Sequence, residues 1–243
     1  MRFKTRDLAL LSVFAALYAV LSLISLAPVI GDIGNSIKLA AILAPLFGMI
    51  LGPYLGTIAV SLGGFLGWSI VQTGTFGVLS FVPGALTAAV AGFLYKDKRL
   101  LSIAVYSIVL VCQAFYPVIG PVWLFPYFLW FQLVGLVVLL SPLTSIAIKS
   151  TGRKNNLRQL SLAIGVISFV STLAGQIAGS LMFEITRWPI IYPQVEYWRT
   201  AQWQFLTFVY PVERGIITIL ALIIGIPLIR AVNAYGFQMG GAS

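Results

Sequence analysis

Long apolar segments separated by short polar or basic loops run through the whole sequence. The first covers residues 8–27, and residues 160–183 and 205–229 form comparable runs. A helix needs about 20 apolar residues to cross a bilayer. With 60% hydrophobic and only 9% charged residues, the chain also has too little polar surface to cover a soluble globule. We therefore predict an all-α, polytopic helix bundle in a membrane, forming a single transmembrane domain over residues 1–243.

The distribution of Lys and Arg sets the expected number and direction of the spans. We count eight apolar segments, at residues 8–27, 39–51, 54–71, 79–95, 100–116, 127–148, 160–183 and 205–229. Cytoplasmic loops of membrane proteins carry an excess of basic residues. With the N-terminus inside, eight spans place most of the 15 basic residues on the cytoplasmic side: Arg2, Lys4, Arg6, Lys96, Lys98, Arg99, Lys149, Arg153, Lys154, Arg158 and Arg230. Both termini are therefore expected in the cytoplasm, and the net charge of +9 needs no nucleic-acid partner.

The first segment also has a second interpretation. It follows three basic residues, and Ser25-Leu26-Ala27 would suit the cleavage site of a signal peptide. Its apolar region is longer than that of a usual signal peptide, so we favour a retained span.

Glycines are concentrated in two short apolar segments that join at Gly52-Pro53. Glycine removes the side chains that keep helix backbones apart, so neighbouring helices can approach closely where lipid supplies no hydrophobic force. We predict a helix-packing hairpin on the cytoplasmic side, opposite any ligand site, with contacts at Gly48, Gly52, Gly56, Gly63, Gly64 and Gly67.

The sequence lacks the residues that most enzymes use. It contains no His, six carboxylates and the single Cys112. It has no HExxH, Walker or GxSxG motif, so metal hydrolysis, ATP use and triad chemistry have no residues to perform them. We predict a protein without enzymatic activity, cofactor or bound metal.

Two ionisable residues lie inside the eighth segment, where charge is expensive and usually functional. Glu213 and Arg214 are neighbours whose side chains leave the helix roughly 100° apart, so we expect each to interact with another group rather than with the other. Tyr210 and Thr218 share a face with Arg214. Two interpretations stay open: contact with a ligand, or pairing of Arg214 with a carboxylate on another helix.

A predicted outer loop at residues 184–204 is rich in aromatic and charged residues. Flat rings beside charges suit a heteroaromatic solute, through stacking and cation–π contact. Trp and Tyr also gather at membrane interfaces as anchors, which is the simpler interpretation. Gln113 and Gln72 lie on the same predicted side and could line a pocket or bridge helices. The loop residues that we predict to form a lid over a ligand are Arg187, Trp188, Tyr197 and Trp198.

Four stretches of the sequence resemble a known family. They read ALLSVFAALYAVLSLI, ILAPLFGMILGPYLGTIAVSLGGFLG, FVPGALTAAVAGFLYKDKR and YPVERGIITILALIIGIPLIRAV. In composition and order they resemble the membrane-embedded, substrate-binding S components of energy-coupling factor (ECF) vitamin transporters. That family has six helices, so the resemblance implies that the present chain has an extra pair between about residues 100 and 183.

The resemblance also implies partners and a docking surface. Substrate would bind near the extracellular face, and the first helix would dock on a transmembrane coupling protein that carries two cytoplasmic ATPase subunits. The AxxxA docking pattern of the family corresponds to Ala15 and Ala19, and Ser12 and Ala16 form a second small pair at the same spacing.

The favoured function is a substrate-binding subunit in the plasma membrane for a small, water-soluble vitamin or related metabolite. Two alternatives belong to other classes. One is a self-sufficient, ion-coupled secondary transporter that uses Glu213 as its proton or sodium site. The other is a membrane scaffold that transports nothing.

Overall fold

A computed structural model describes residues 5–28, 36–72, 77–151 and 156–234 of the chain. These residues are almost entirely helical, which confirms the predicted all-helical class apart from one small β-ribbon. Four of the basic residues used to orient the chain, Arg2, Lys4, Arg153 and Lys154, lie outside the described residues.

The first half of the chain has four helices. The strand β1, Ser25–Pro28, pairs antiparallel with β2, Ser36–Lys38. The first apolar run was expected to stay helical to residue 27, but its helix ends at Leu23 because the chain enters this ribbon, where Lys38 Nζ donates to Ser25 Oγ over 2.9 Å. The helices are α1 (Thr5–Leu23), α2 (Leu39–Leu51), α3 (Pro53–Val71) and, after a 3₁₀ turn at Gly77–Phe81, α4 (Val82–Tyr95).

The second half contains two long helices. Residues 184–191, predicted to lie in a loop, instead form the last two turns of α9, and a 3₁₀ turn and a π-helical turn complete the reversal into α11. The helices are α5 (Arg99–Ala114), α6 (Pro121–Leu124), α7 (Trp130–Leu140), α8 (Pro142–Ser150), α9 (Leu157–Ile191), α10 (Val195–Tyr197) and α11 (Trp203–Ala234).

The helices are those of a multi-pass membrane protein. Among the described residues, four helical stretches are long and apolar enough to cross a membrane, at residues 5–23, 53–71, 77–95 and 157–234. Residues 126–150 form a fifth if the bent pair around α7 and α8 counts as one span. The last stretch includes both α9 and α11, and α2 and α5 are shorter apolar helices. The count of eight spans and the cytoplasmic position of both termini stay predictions.

The glycine-rich hairpin packs backbone to backbone as predicted, except at Gly52, where a Cβ would make only an ordinary contact with Lys96 and the φ of 81° is what favours glycine. A Cβ placed on Gly48 would collide with the carbonyl of Ala88 in α4, and one on Gly63 with the carbonyl of Ala15 in α1. A Cβ on Gly56 would lie 2.9 Å from the Cα of Gly48. These contacts hold α1 to α4 together at distances that no larger residue permits.

A break between α7 and α8 is held by one arginine. The axes of the two parts differ by 60°, and Pro142 begins the second. Arg99 Nη2 donates to the carbonyls of Leu139, over 2.8 Å, and Ser141, over 2.9 Å. The guanidinium thus satisfies carbonyl groups that the break removes from the helical hydrogen-bond ladder.

Helix α9 lies at the centre of the second half and packs against α2, α4, α5, α7, α8 and α11. Its middle is buried and combines apolar residues, such as Ile164, Ile167 and Leu173, with polar ones, such as Ser168 and Thr172. Because α9 and α11 run antiparallel, the end of α9 lies beside the start of α11, next to the end of α5. We call this end of the bundle, away from Thr5 and Ala234, the distal end.

Candidate functional site

Two fully buried polar side chains meet at the distal end. Gln113 lies in the last turn of α5 and Glu184 near the end of α9. The Nε2 of Gln113 donates to Oε1 of Glu184 over 3.1 Å, and neither residue is exposed. Gln113 Oε1 and Glu184 Oε2 have no hydrogen-bond partner among the described residues. A buried, unpaired polar atom is unfavourable by about 1–3 kcal/mol, so such a pair calls for an explanation.

Glu184 continues a polar stripe along α9. Gln176, Ser180 and Glu184 follow one another at four-residue steps, which places them on one face of the helix. Gln176 Nε2 donates to Ser180 Oγ over 3.2 Å. We placed Glu184 in a loop and did not select it as a site residue. The same four-residue spacing was visible in the sequence before it and could have identified it.

Tyr210 connects α9 with α11. Its hydroxyl lies near the side chain of Ser180, and Glu184, Glu213 and Arg214 are close enough to interact with it electrostatically. Of the residues predicted to bind a ligand, Gln113 and Tyr210 are therefore brought close to one another by α5, α9 and α11.

Glu213 and Arg214 pair with each other, so the expectation that they would not was wrong. Arg214 Nη2 donates to Glu213 Oε1 over 2.8 Å, with side-chain exposures of 17% for the arginine and 11% for the glutamate. Both side chains are long and flexible enough for their charged ends to meet, although their Cα–Cβ bonds point in different directions. Glu213 Oε2 and Arg214 Nε lack partners in the part of the chain that the structure describes. Thr218 donates to the backbone carbonyl of Arg214 over 2.8 Å and so lies on the predicted face.

An aromatic cluster lies beside this polar group. The ring of Phe128 is 4.5 Å from that of Trp203 and 5.6 Å from that of Tyr210, measured between centroids. Both contacts are edge-to-face, the favourable arrangement for aromatic rings. Ile119 and Leu124 complete the cluster from the segment between α5 and α7. The distal end thus combines buried polar groups with packed rings.

A shallow hollow of about 210 Å³ opens between the end of α5 and the last turns of α9. It is lined by Tyr116, Pro117, Val118, Ile119, Trp188 and Tyr192. Trp188 was one of the predicted ligand contacts, and its ring is 49% exposed. Val118 has a φ of 66°, which a β-branched residue rarely adopts. Unusual backbone geometry of this kind concentrates at functional sites.

The other predicted lid residues surround the turn between α9 and α11. Arg187 is half-buried one turn after Glu184, and Tyr197 is exposed. Trp198 is half-buried, with its ring 5.3 Å from that of Phe183. Gln72 caps the end of α3 in the left-handed conformation, with an exposed side chain and none of the distal polar groups among its contacts. The contact of these four residues with a ligand stays a prediction.

The predicted docking residues on α1 divide into two pairs. Ala15 and Ala19 are buried, and Gly63 of α3 packs against their backbone. Ser12 and Ala16 are exposed. In this arrangement the AxxxA pair holds the protein itself together, and the second small pair is the one that faces outward.

The distal end can therefore hold a solute by hydrogen bonds and ring stacking. Its unpaired groups include two oxygen atoms, and its rings offer flat apolar faces. Within the described ranges there is no cluster of three or more His, Cys, Asp or Glu residues that could hold a metal ion. This chemistry suits recognition of a ring with polar substituents.

Comparison with protein families agrees with the resemblance noted in the sequence. The sequence model of the family described as ECF-type riboflavin transporter, S component, matches residues 2–149, more than half of the 243-residue chain. The match ends in α8, so α9 and α11 lie beyond it. Searches of curated proteins and of solved structures returned no match. The family consists of transporter components, and on the extent of its match the chain belongs to the S components of ECF-type riboflavin transporters.

Proposed function

We propose that the chain captures a small, water-soluble vitamin at the extracellular face and presents it for ATP-driven uptake. Riboflavin is the first candidate because the matching family is described by it. The observation that carries the proposal is the distal combination of an enclosed Gln113–Glu184 pair and an aromatic hollow close to it. A ring with polar substituents needs both.

The energy for uptake would come from partner subunits. The chain has no nucleotide-binding motif. We propose that it assembles in the plasma membrane with a transmembrane coupling protein and two cytoplasmic ATPase subunits. Ser12 and Ala16, on the exposed face of α1, are the best placed of the predicted docking residues to meet the coupling protein.

A binding titration tests the first half of the proposal. The protein is purified in detergent and freed of any co-purifying small molecule, which mass spectrometry then identifies. Riboflavin fluorescence should be quenched on binding, because stacking on Trp and Tyr rings quenches flavins. Failure to bind riboflavin or any related vitamin, with the protein folded and monodisperse, would contradict the proposal.

An uptake assay separates this function from the secondary carrier. Vesicles that contain the chain alone should take up no riboflavin, with or without an ion gradient, and uptake should require the coupling protein, both ATPase subunits and ATP. The pairing of Glu213 with Arg214 argues against Glu213 as a freely exchanging ion site. Gradient-driven uptake by the chain alone that disappears in Glu213→Gln would establish the carrier instead.

A further inference from the structure

The buried pair lies close in the chain to residues that line the hollow. The backbone N–H of Tyr116, a lining residue, donates to the backbone carbonyl of Gln113 over 3.4 Å. Glu184 lies one helical turn before Trp188, which also lines the hollow. Each member of the pair is therefore about one helical turn from a lining residue, on neighbouring helices.

The free atoms of the pair define what could bind there. The hydrogen bond from Gln113 Nε2 to Glu184 Oε1 leaves Gln113 Oε1 and Glu184 Oε2 without partners among the residues that the structure describes. An amide oxygen only accepts hydrogen bonds. A carboxyl oxygen accepts when ionised and donates when protonated. A hydroxyl both donates and accepts, so neighbouring hydroxyls satisfy the two atoms in either state.

The imide edge of a flat heteroaromatic ring would satisfy the free oxygen atoms of the pair less well than hydroxyls do. Such an edge presents one N–H between two carbonyl oxygens, and those oxygens would face acceptor atoms of the protein. The hollow, in contrast, offers rings: Tyr116, Trp188 and Tyr192 line it, and the rings of Trp188 and Tyr192 are 6.3 Å apart. At about 210 Å³ it is smaller than the about 300 Å³ at which pockets for drug-sized ligands begin, so part of a ligand must occupy other space.

We propose that Gln113 and Glu184 form the specificity-determining subsite for the polyhydroxylated chain of the solute, while its ring lies in the hollow. This inference rests on the proposed function. It adds the orientation of the ligand and identifies the polyhydroxylated chain as the group that the protein recognises. The subsite would distinguish a ring that carries a polyol from the same ring without one.

Two flavins that differ only in this group test the proposal. Riboflavin carries a five-carbon polyol on its ring system, and lumiflavin has a methyl group in that place. The wild-type protein should bind riboflavin about tenfold or more tightly than lumiflavin. The double variant Gln113→Leu/Glu184→Leu should lose about tenfold or more in riboflavin affinity and change lumiflavin affinity by less than about twofold.

A second readout distinguishes recognition from a structural role. Replacing both partners of a buried polar pair by apolar residues of similar shape is often neutral or stabilising. The melting temperature of the ligand-free double variant should therefore equal or exceed that of the wild type. Glu184→Gln, which keeps the shape and one oxygen, should show a smaller loss confined to riboflavin. As a control, Glu196→Gln in the exposed turn should leave both affinities unchanged.

The outcomes separate this proposal from the function on which it rests. If neither flavin binds to the wild type, the proposed function fails and this inference with it. If riboflavin binds but the wild type does not discriminate, or the double variant weakens both flavins equally, the function stands and the subsite is wrong. A selective loss of riboflavin affinity without loss of melting temperature supports the subsite.

Discussion

The helices in the two halves of the bundle pack against one another in different ways. From α1 to α4, glycines bring backbones into direct contact, as between Gly48 and Ala88. Around α9, large side chains fill most of the space, with one close backbone approach at Gly175, and buried polar groups such as Gln113 and Glu184 meet between helices. The first arrangement brings helix backbones into contact at these glycines, whereas the second leaves polar atoms that a ligand could satisfy.

This difference assigns separate tasks to the halves. Small-residue packing makes a compact unit in which contacts are numerous but individually weak. Buried polar groups lower stability unless they are paired, so a protein retains them for a purpose beyond packing. We expect substitutions in the first half to act on folding and substitutions at the distal end to act on ligand affinity.

The largest effect should follow Gly48→Ala. The added Cβ would collide with the backbone of Ala88, which cannot move without displacing α4. We expect a loss of about 3 kcal/mol or more in unfolding free energy, seen as a lower melting temperature in detergent. Gly215→Ala is the matched control, because its Cβ meets nothing within 4 Å, and it should leave stability unchanged or slightly higher. Equal effects in the two variants would contradict the packing account.

A smaller loss should follow Arg99→Leu. The guanidinium holds the carbonyls of Leu139 and Ser141 at the break between α7 and α8, and no other described side chain takes its place. We expect the variant to be less stable by about 2–3 kcal/mol. Arg230→Leu, at an exposed position near the end of α11, serves as control in the same thermal unfolding assay. A neutral Arg99→Leu would mean that the broken helix needs no such support.

The Glu213–Arg214 pair should show an intermediate, reversible effect. Arg214→Met leaves the largely buried Glu213 without its cation, and we expect a loss of about 1–3 kcal/mol. Adding Glu213→Gln to Arg214→Met should recover part of the lost stability, because the buried carboxylate without a cation is then replaced by a neutral amide. Full additivity of the two substitutions in unfolding experiments would show that the residues do not interact.

The smallest effect should come from the exposed turn. Glu196 accepts hydrogen bonds from Arg199 over 2.6 and 3.1 Å, but both side chains are at least half exposed. Solvent and salt screen such an exposed pair, so it contributes little to stability. Glu196→Gln should change neither melting temperature nor flavin affinity measurably. A loss of affinity would extend the ligand site into the turn.

The sequence predicts the all-helical class and the glycine hairpin well, because long apolar runs and clustered glycines are local signals. The glycine hairpin, with helices at Leu39–Leu51 and Pro53–Val71, was placed almost to the residue. The end of α9 was missed, since aromatic and charged residues at 184–191 look like a loop although they continue the helix. Local composition does not show where a helix stops when its last turns are supported by neighbouring helices.

The candidate site was only partly predictable. Gln113 and Tyr210 were selected as buried or striped polar residues, and the structure brings them near one another through α9. Glu184 was missed with its helix. The expectation that Glu213 and Arg214 would not pair was wrong, because side-chain flexibility is not encoded in residue spacing. On α1, Ala15 and Ala19 are buried and Ser12 and Ala16 are exposed because α3 packs against one face of the helix. The sequence of α1 alone does not show which face that is.

The most direct test compares one tryptophan from each half. Trp188 lines the distal hollow, whereas Trp68 lies near the end of α3 in the glycine-packed half. Riboflavin affinity is measured by fluorescence titration of the purified wild type, Trp188→Leu and Trp68→Leu. The account predicts a loss of about tenfold for Trp188→Leu and less than about twofold for Trp68→Leu. Equal losses, or a loss confined to Trp68→Leu, would contradict the claim that the hollow between α5 and α9 binds the solute.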